Sequence, residues 1–295
     1  MVVSKAVDNG YSVSRVCRVL GYPRSSYYEG LKPASKPRPP ALDEELATLI
    51  REVIKENPEF GYRRVWAHLK FRQGVEVGRN RVHRIIKLKG WQATPIRRPR
   101  GKKVTGPEGR KRTNVANPKT KIVVDTPNTR WATDLTKVYV EEAGWMNLIP
   151  VIDCCSAKIV SYVFSDRGRS LEAITAVEDA VLSRFGAIDA APENLSLRTD
   201  NGSIFLSKSF LKCIKGVGIT QEFTPYHCPS ANGVVERWNK TFKEECAWCY
   251  SFKTIAEAEQ VIGDWINKYN NERMHSRLGY ASPVEFEDAL QKNAA

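Results

Sequence analysis

The chain has 295 residues, of which 42% are hydrophobic and 27% charged, too many for one small domain and enough for two or three compact units with ordinary interiors. Its 46 Lys+Arg against 33 Asp+Glu leave a formal net charge of +13 at pH 7, a surplus that points to a polyanionic partner, because each neutralised phosphate releases counterions. No apolar run approaches the roughly 18 residues of a membrane helix, and the start Met1–Asp8 lacks the apolar centre of a secretion signal. The expectation is a cytoplasmic protein without membrane contact. The seven cysteines are odd in number and scattered, as reduced thiols are. Cys246 and Cys249 form a single Cys-x-x-Cys pair with no second pair at zinc-finger spacing.

Composition shifts divide the chain into segments at 1–31, 32–42, 43–95, 96–125 and 126–292. In the first, Val13, Val16, Cys17 and Leu20 make a short apolar helical face, Gly21 suits a tight turn and Pro23 suits the first turn of a following helix. That arrangement predicts a helix-turn-helix with Arg24 and Ser25 at the start of its second helix, where a recognition helix meets DNA. A generic helical hairpin fits the same residues. Residues 32–42, rich in Pro and Lys, read as a stiff linker. From 43 to 95, Leu46, Leu49, Ile50, Val53 and Ile54 form one stripe and Val65, Trp66 and Leu69 another, separated by the breaker Asn57-Pro-Glu-Phe-Gly61. A third helix near 78–89 turns Val82, Ile85 and Ile86 inward and Arg79, Arg81, Arg84 and Lys87 outward. This basic face is either solvated or set against DNA. The connector at 96–125 carries Arg97, Arg98, Arg100, Lys102 and Lys103 amid glycine and proline, an extended basic stretch able to track a minor groove.

From residue 126 apolar strands alternate with amphipathic helices. Arg130–Val140 reads as one strand containing Asp134, and two more strands at 148–154 and 159–164 complete a meander. A helix at about 171–185, with Ile174, Val177, Val181 and Leu182 on one face, precedes a short strand ending at Asp200-Asn-Gly202. A further helix and strand lead to a loop rich in Pro, Ser and Gly, after which Glu236 sits in the first turn of a long helix. Strand positions can bring Asp134 beside Asp200, with Glu236 projecting from a helix packed across them. Carboxylates that close repel one another unless they bind protons or cations. Oxygen donors of this kind suit Mg²⁺ or Mn²⁺, and two such ions promote in-line phosphoryl transfer without a side-chain nucleophile. A lone strand-end aspartate is more often a cap. Here thirty-five residues separate Asp200 from Glu236, within specific flanking sequence. Asp153, on a strand near the first aspartate, lacks such flanks and reads as structural.

The stretches Trp131-Ala-Thr-Asp134-Leu-Thr136, Thr199-Asp-Asn-Gly202 and Pro229-Ser-Ala-Asn-Gly-Val-Val-Glu236-Arg237 resemble the integrase-core transposases of bacterial insertion sequences, relatives of retroviral integrases. Tyr269-Asn-Asn-Glu-Arg-Met-His-Ser-Arg-Leu-Gly279 with Ser282-Pro283 fits a C-terminal signature of the same family, and Gly61-Tyr-Arg-Arg-Val65 resembles its second DNA-binding module. The resemblance implies an α/β catalytic core of ribonuclease H-like fold, a mixed five-stranded sheet flanked by helices, behind N-terminal all-α helix-turn-helix modules. It implies that Asp134, Asp200 and Glu236 are the catalytic, metal-holding acids, with two ions of Mg²⁺ (or Mn²⁺) per active site. The implied activity is strand cleavage and strand transfer at terminal inverted repeats. The implied partners are double-stranded DNA (repeat ends and target), at least one further copy of the chain, and the product of an upstream overlapping reading frame. The zinc domain of retroviral integrases is not expected, since residues 1–95 hold one cysteine and two histidines. A ribonuclease H-like nuclease that does not join, and a non-enzymatic DNA-binding regulator, are the alternatives.

On the helix of Glu236, positions i+4 and i+7 are Lys240 and Lys243, which share its face and suit phosphate contacts. Salt-bridged surface lysines are the competing reading. Asn232, four residues before Glu236, and Tyr226 and His227 in the loop before it are expected to position the scissile end.

Overall fold

A computed structural model describes residues 2–31, 43–93, 124–224 and 232–294. The linker at 32–42 and the basic side chains from Arg97 to Lys103 therefore lie outside the described residues, as do Tyr226 and His227. The chain divides into two compact units, Met1–Glu44 and Glu45–Ala295.

The first unit holds α1 (Val2–Asp8), α2 (Val13–Val19) and α3 (Arg24–Leu31). Ser12 caps α2 by accepting from the Arg15 N–H, and Gly21 takes the left-handed φ of +61° that turns the chain into α3. Val3, Val16 and Cys17 form its small core. Leu20, expected on the buried face, is 48% exposed, because α2 ends at Val19 and its cap residue no longer follows the helical phase. Helix α1, which the sequence reading did not anticipate, supplies Val3 in its place. Arg24 and Ser25 occupy the exposed start of α3.

The second unit begins with α4 (Glu44–Glu56), α5 (Tyr62–Phe71) and α6 (Arg79–Lys89). Leu46, Ile50 and Val53 of α4, Val65 and Leu69 of α5, and Val82, Ile85 and Ile86 of α6 are buried as their spacing predicts. Gly90, at φ +69°, closes α6 in the left-handed conformation that frees the chain from the helix. Arg79, Arg81, Arg84 and Lys87 line the exposed side of α6.

The strands are β1 (Arg130–Thr133), β2 (Thr136–Val140), β3 (Gly144–Asp153), β4 (Ile159–Ser165), β5 (Ser196–Thr199) and β6 (Thr220–Phe223). The stretch expected as one strand, 130–140, is interrupted at Asp134 and Leu135. The Leu135 N–H is taken by the Asp134 side chain instead of the ladder. Both pieces pair antiparallel with β3, whose other edge carries β4. β1 also pairs parallel with β5, and β5 with β6. Counting the interrupted strand once, the mixed sheet has the expected five strands, in the order β4, β3, β1/β2, β5, β6.

Helices α7 (Ser170–Phe185) and α8 (Lys208–Gly216) share one core with Trp131, Ile149, Val151 and Leu197. Ala173, Ala176 and Ala180 give α7 a low profile against the strands, whereas Leu182, predicted inward, is 44% exposed near the helix end. A second core, with Ala132, Leu148 and Ile152, takes α9 (Gly233–Phe242) and α10 (Ile255–Asn271). Successive residues of one strand thus enter opposite cores, the period-two rule for a sheet covered on both faces. Trp238 and Phe242 of α9 stack with ring centroids 5.2 Å apart, and both meet Trp265 of α10 edge-on. This aromatic cluster fixes the rotation of α9 about its axis. After α9 the chain forms a π turn, Lys243–Ala247, and α11 (Pro283–Ala294) follows α10. Among the described residues no helix is long and apolar enough to cross a membrane.

Candidate active site

β1 and β5 are adjacent and parallel, so their carboxyl ends open on the same side of the sheet. The parallel register pairs Ala132 with Arg198, and Asp134 and Asp200 each follow directly on the last residue of their strand. Ligand sites of open α/β sheets form at such strand ends. Asp134 Oδ1 accepts from the Leu135 N–H at 2.8 Å, and its Oδ2 accepts from Asn239 Nδ2 of α9 at 2.8 Å. Asp200 Oδ1 accepts from the Gly202 N–H at 2.8 Å, and Asn201 Nδ2 donates to the Thr224 carbonyl at 2.7 Å, tying the turn to the end of β6. Glu236 sits in the first turn of α9, with Asn239 one turn further along the same face.

The three acids share one electrostatic environment. Burial pushes the Asp134 carboxyl up to about 6; the negative charge of Asp200 adds to this and that of Glu236 contributes further, against the Leu135 N–H and Lys243. Burial also raises the Glu236 carboxyl. Burial lowers the Lys243 ammonium, and its attraction to Asp134 works the other way, which places Lys243 beside the acids. An all-oxygen donor set with unrelieved negative charge fits a hard divalent cation. Among the described residues no three acidic, histidine or cysteine side chains form a closed ligand set. Asp134 and Asp200 instead spend oxygens on neighbouring N–H groups.

The other candidates divide. Lys240 is exposed and pairs with Glu244 at 3.7 Å, one turn along the helix surface. A pair this open is worth little, so the ammonium can exchange its partner for a phosphate. Lys240→Ala is expected to weaken binding to end DNA and flatten the salt dependence by about one counterion; an unchanged slope in a salt titration by anisotropy would return Lys240 to the surface pair. Asn232 is buried at the start of α9, and its Oδ1 has no partner among the described residues. Asp153, also buried, accepts from the Asn128, Cys155 and Ser156 N–H groups at 2.6, 2.8 and 2.9 Å, a cap for the turn between β3 and β4. Its role is structural, as its sequence context indicated.

Two features were not singled out from sequence. Asn239 grips Asp134, and its position three residues after Glu236 was the available signal. Glu245, in the π turn, is part-buried against Arg273 and Arg64; its partners lie far away in the chain, so no local pattern announces it.

Sheet order, strand-end acids and the helix crossing them define an integrase-type core. Residues 124–229 and 217–283 match families described as Integrase core domain, and residues 41–100 match an HTH-like domain. The chain thus carries an integrase core domain behind an HTH-like domain, and the curated relatives it resembles are insertion-sequence proteins. It is 28% identical over 287 residues to the putative transposase InsK for insertion sequence element IS150 of Escherichia coli, covering 97% of each chain. It is 28% identical over 275 residues to the insertion element IS407 uncharacterized 31.7 kDa protein of Burkholderia multivorans, covering 93% of this chain and 90% of that one. Among solved structures, the HTLV-2 integrase catalytic core domain in complex with magnesium aligns with a TM-score of 0.42 at 22% identity, over 55% of this chain and 97% of that one.

Proposed function

We propose that this chain is the transposase of an insertion sequence, cutting DNA strands at the element's terminal inverted repeats and joining the exposed ends to target DNA. The observation that carries the reading is that Asp134 and Asp200 directly follow the ends of neighbouring parallel strands, with the charges of Asp200 and Glu236 felt at Asp134. The integrase-core match and the transposase relatives support it.

Asp134, Asp200 and Glu236 would hold two Mg²⁺ or Mn²⁺ ions. Such ions supply electrophilic stabilisation of the attacking and departing oxygens during in-line transfer at phosphorus. Asn239 orients the Asp134 carboxylate, and Lys243 offers a cation to the phosphate backbone beside it. In the first reaction water attacks phosphorus and the bond to the 3′ oxygen breaks, releasing a 3′-hydroxyl. In the second, that hydroxyl attacks another phosphodiester, whose own 3′ oxygen departs. Register on the duplex comes from phosphate contacts and sequence from base edges. Arg24 and Ser25 of α3, Arg79, Arg81 and Arg84 of α6 and the basic side chains at 97–103 are the groups proposed for these contacts, with Asn232, Tyr226 and His227 at the scissile end. An element has two ends, so at least two copies would act together on the nucleoid, and the product of an upstream overlapping frame is a further proposed partner.

The test is a labelled duplex carrying the element's terminal repeat, incubated with the protein in Mg²⁺ and in EDTA. The expected result is nicking and joined products in Mg²⁺ and neither in EDTA. Nicking without joining supports the nuclease, and retention of the duplex without cleavage supports the regulator.

A further inference from the structure

The helical module of residues 45–93 and the sheet core belong to one compact unit, joined by specific contacts. Arg72 of the segment after α5 pairs with Glu285, its Nη2 donating to Oε2 at 2.8 Å. Trp66 and Phe71 pack on Tyr280, with ring centroids 5.5 and 6.0 Å away. These contacts land on the 280–285 segment. The third reaches the polypeptide directly after α9: Arg64 Nη2 meets Glu245 Oε1 at 2.9 Å. Arg273 holds the same carboxylate with two donors, Nε and Nη2, each at 2.8 Å. The Glu245 and Arg273 side chains retain 11% and 12% of their exposure.

We infer that Arg64 is a positioning residue for the catalytic helix, acting through Glu245 to fix the π turn that follows α9. The inference rests on the transposase reading and extends it to how the DNA-reading module and the reaction centre are kept in step.

Buried ion pairs contribute little net stability, because desolvation offsets attraction; their better-attested use is to specify register. Here the register at stake is that of a π turn, a local widening common at functional sites. Lys243 opens the turn and is in electrostatic contact with Asp134. Glu245 is its third residue. A carboxylate gripped by an arginine from α5 and another from beyond α10 sets where the turn lies and so where Lys243 and the end of α9 point. The exposed basic face of α6 belongs to the same helical module as Arg64. Duplex held by that face is thereby referred to Asp134 and Glu236 through one hydrogen-bonded step.

Arg64→Met in the full chain removes this tie while leaving both Arg273 donors on Glu245. Its single-turnover cleavage rate constant on end DNA, at saturating protein, is expected to fall about tenfold with the Kd for that DNA unchanged. Arg64→Lys should restore part of the rate. Amide hydrogen exchange at 243–247, which needs no activity, should accelerate in Arg64→Met. Where Arg64→Met fails to fold, Glu245→Gln, which keeps the side chain's shape but removes its charge and turns an NH2 toward an arginine donor, should show a loss of rate and faster exchange of the same kind. A loss of affinity at unchanged rate would make Arg64 a DNA contact and overturn the inference. Unchanged rate and exchange in the folded variant, or in Glu245→Gln, overturns it too. A wild-type protein inactive in Mg²⁺ defeats the transposase reading instead, and the exchange measurement still decides whether the turn is tied to the module.

Discussion

Asp134→Asn is expected to abolish Mg²⁺-dependent cleavage, leave end-DNA binding in place and stabilise the metal-free protein at neutral pH. A metal ligand contributes several kcal/mol of transition-state stabilisation, so at tenfold per 1.36 kcal/mol the rate should drop on the order of 10³-fold or more. The stability effect follows from the carboxyl's environment. Burial and the charge of Asp200 raise its pKa from 3.8 to about 6 in the folded chain. Below the unfolded value both states carry the proton and nothing is lost. Between that value and the folded one the folded state binds more protons, so stability falls as pH rises. Above it the full penalty stands, roughly 3 kcal/mol by the pKa difference. The Asn variant removes that charge, and the Asn239 Oδ1, which has no partner among the described residues, can turn to accept from the new amide. Melting with and without Mg²⁺ across pH 4.5 to 7.5 is the measurement. The wild type should gain more from Mg²⁺ at the upper end, where the carboxylate is ionised, and the variant should lose most of that gain. A variant that cleaves at the wild-type rate would remove Asp134 from the site.

Gly202→Ala should cost activity without costing the fold. A Cβ built at this position would stand 2.8 Å from Asp200 Oδ1, inside normal contact distance, in the turn whose own N–H holds that oxygen. The carboxylate is the softer of the two and must move. Displacement of a reacting group's partner by about an ångström costs on the order of 10²-fold. The backbone here needs no positive φ, so the melting midpoint should stay within a few degrees. Wild-type cleavage by Gly202→Ala would mean that Asp200 tolerates more freedom than the turn allows it.

Much of this architecture is legible in the chain because its signals are local. The apolar runs of β3 and β4, the apolar faces of α4 and α6 and the glycine after α2 each follow from neighbouring residues. The three acids stood out through their flanking motifs and the spacing of Asp200 and Glu236, and the charges of Asp200 and Glu236 are felt at Asp134. Leu20 was misplaced because it caps α2 and no longer continues it, whereas Leu182 lies within the last turn of α7 and is exposed there. The interruption at Asp134 was hidden because a side chain competing for a backbone N–H leaves no mark on hydropathy. The Arg64, Glu245 and Arg273 contact was hidden because its partners meet only after α5, α9 and α10 have packed.

The two-sided sheet has a consequence for how this chain can vary in length. Trp131 fills the layer under α7 while Ala132 fills the layer under α9. One residue inserted between Arg130 and Trp131 would send the indole into a space shaped for a methyl group and turn the acid away from Asp200 at the end of β5. Evolution can trade side chains along this strand more freely than it can alter the count of residues leading up to the acid.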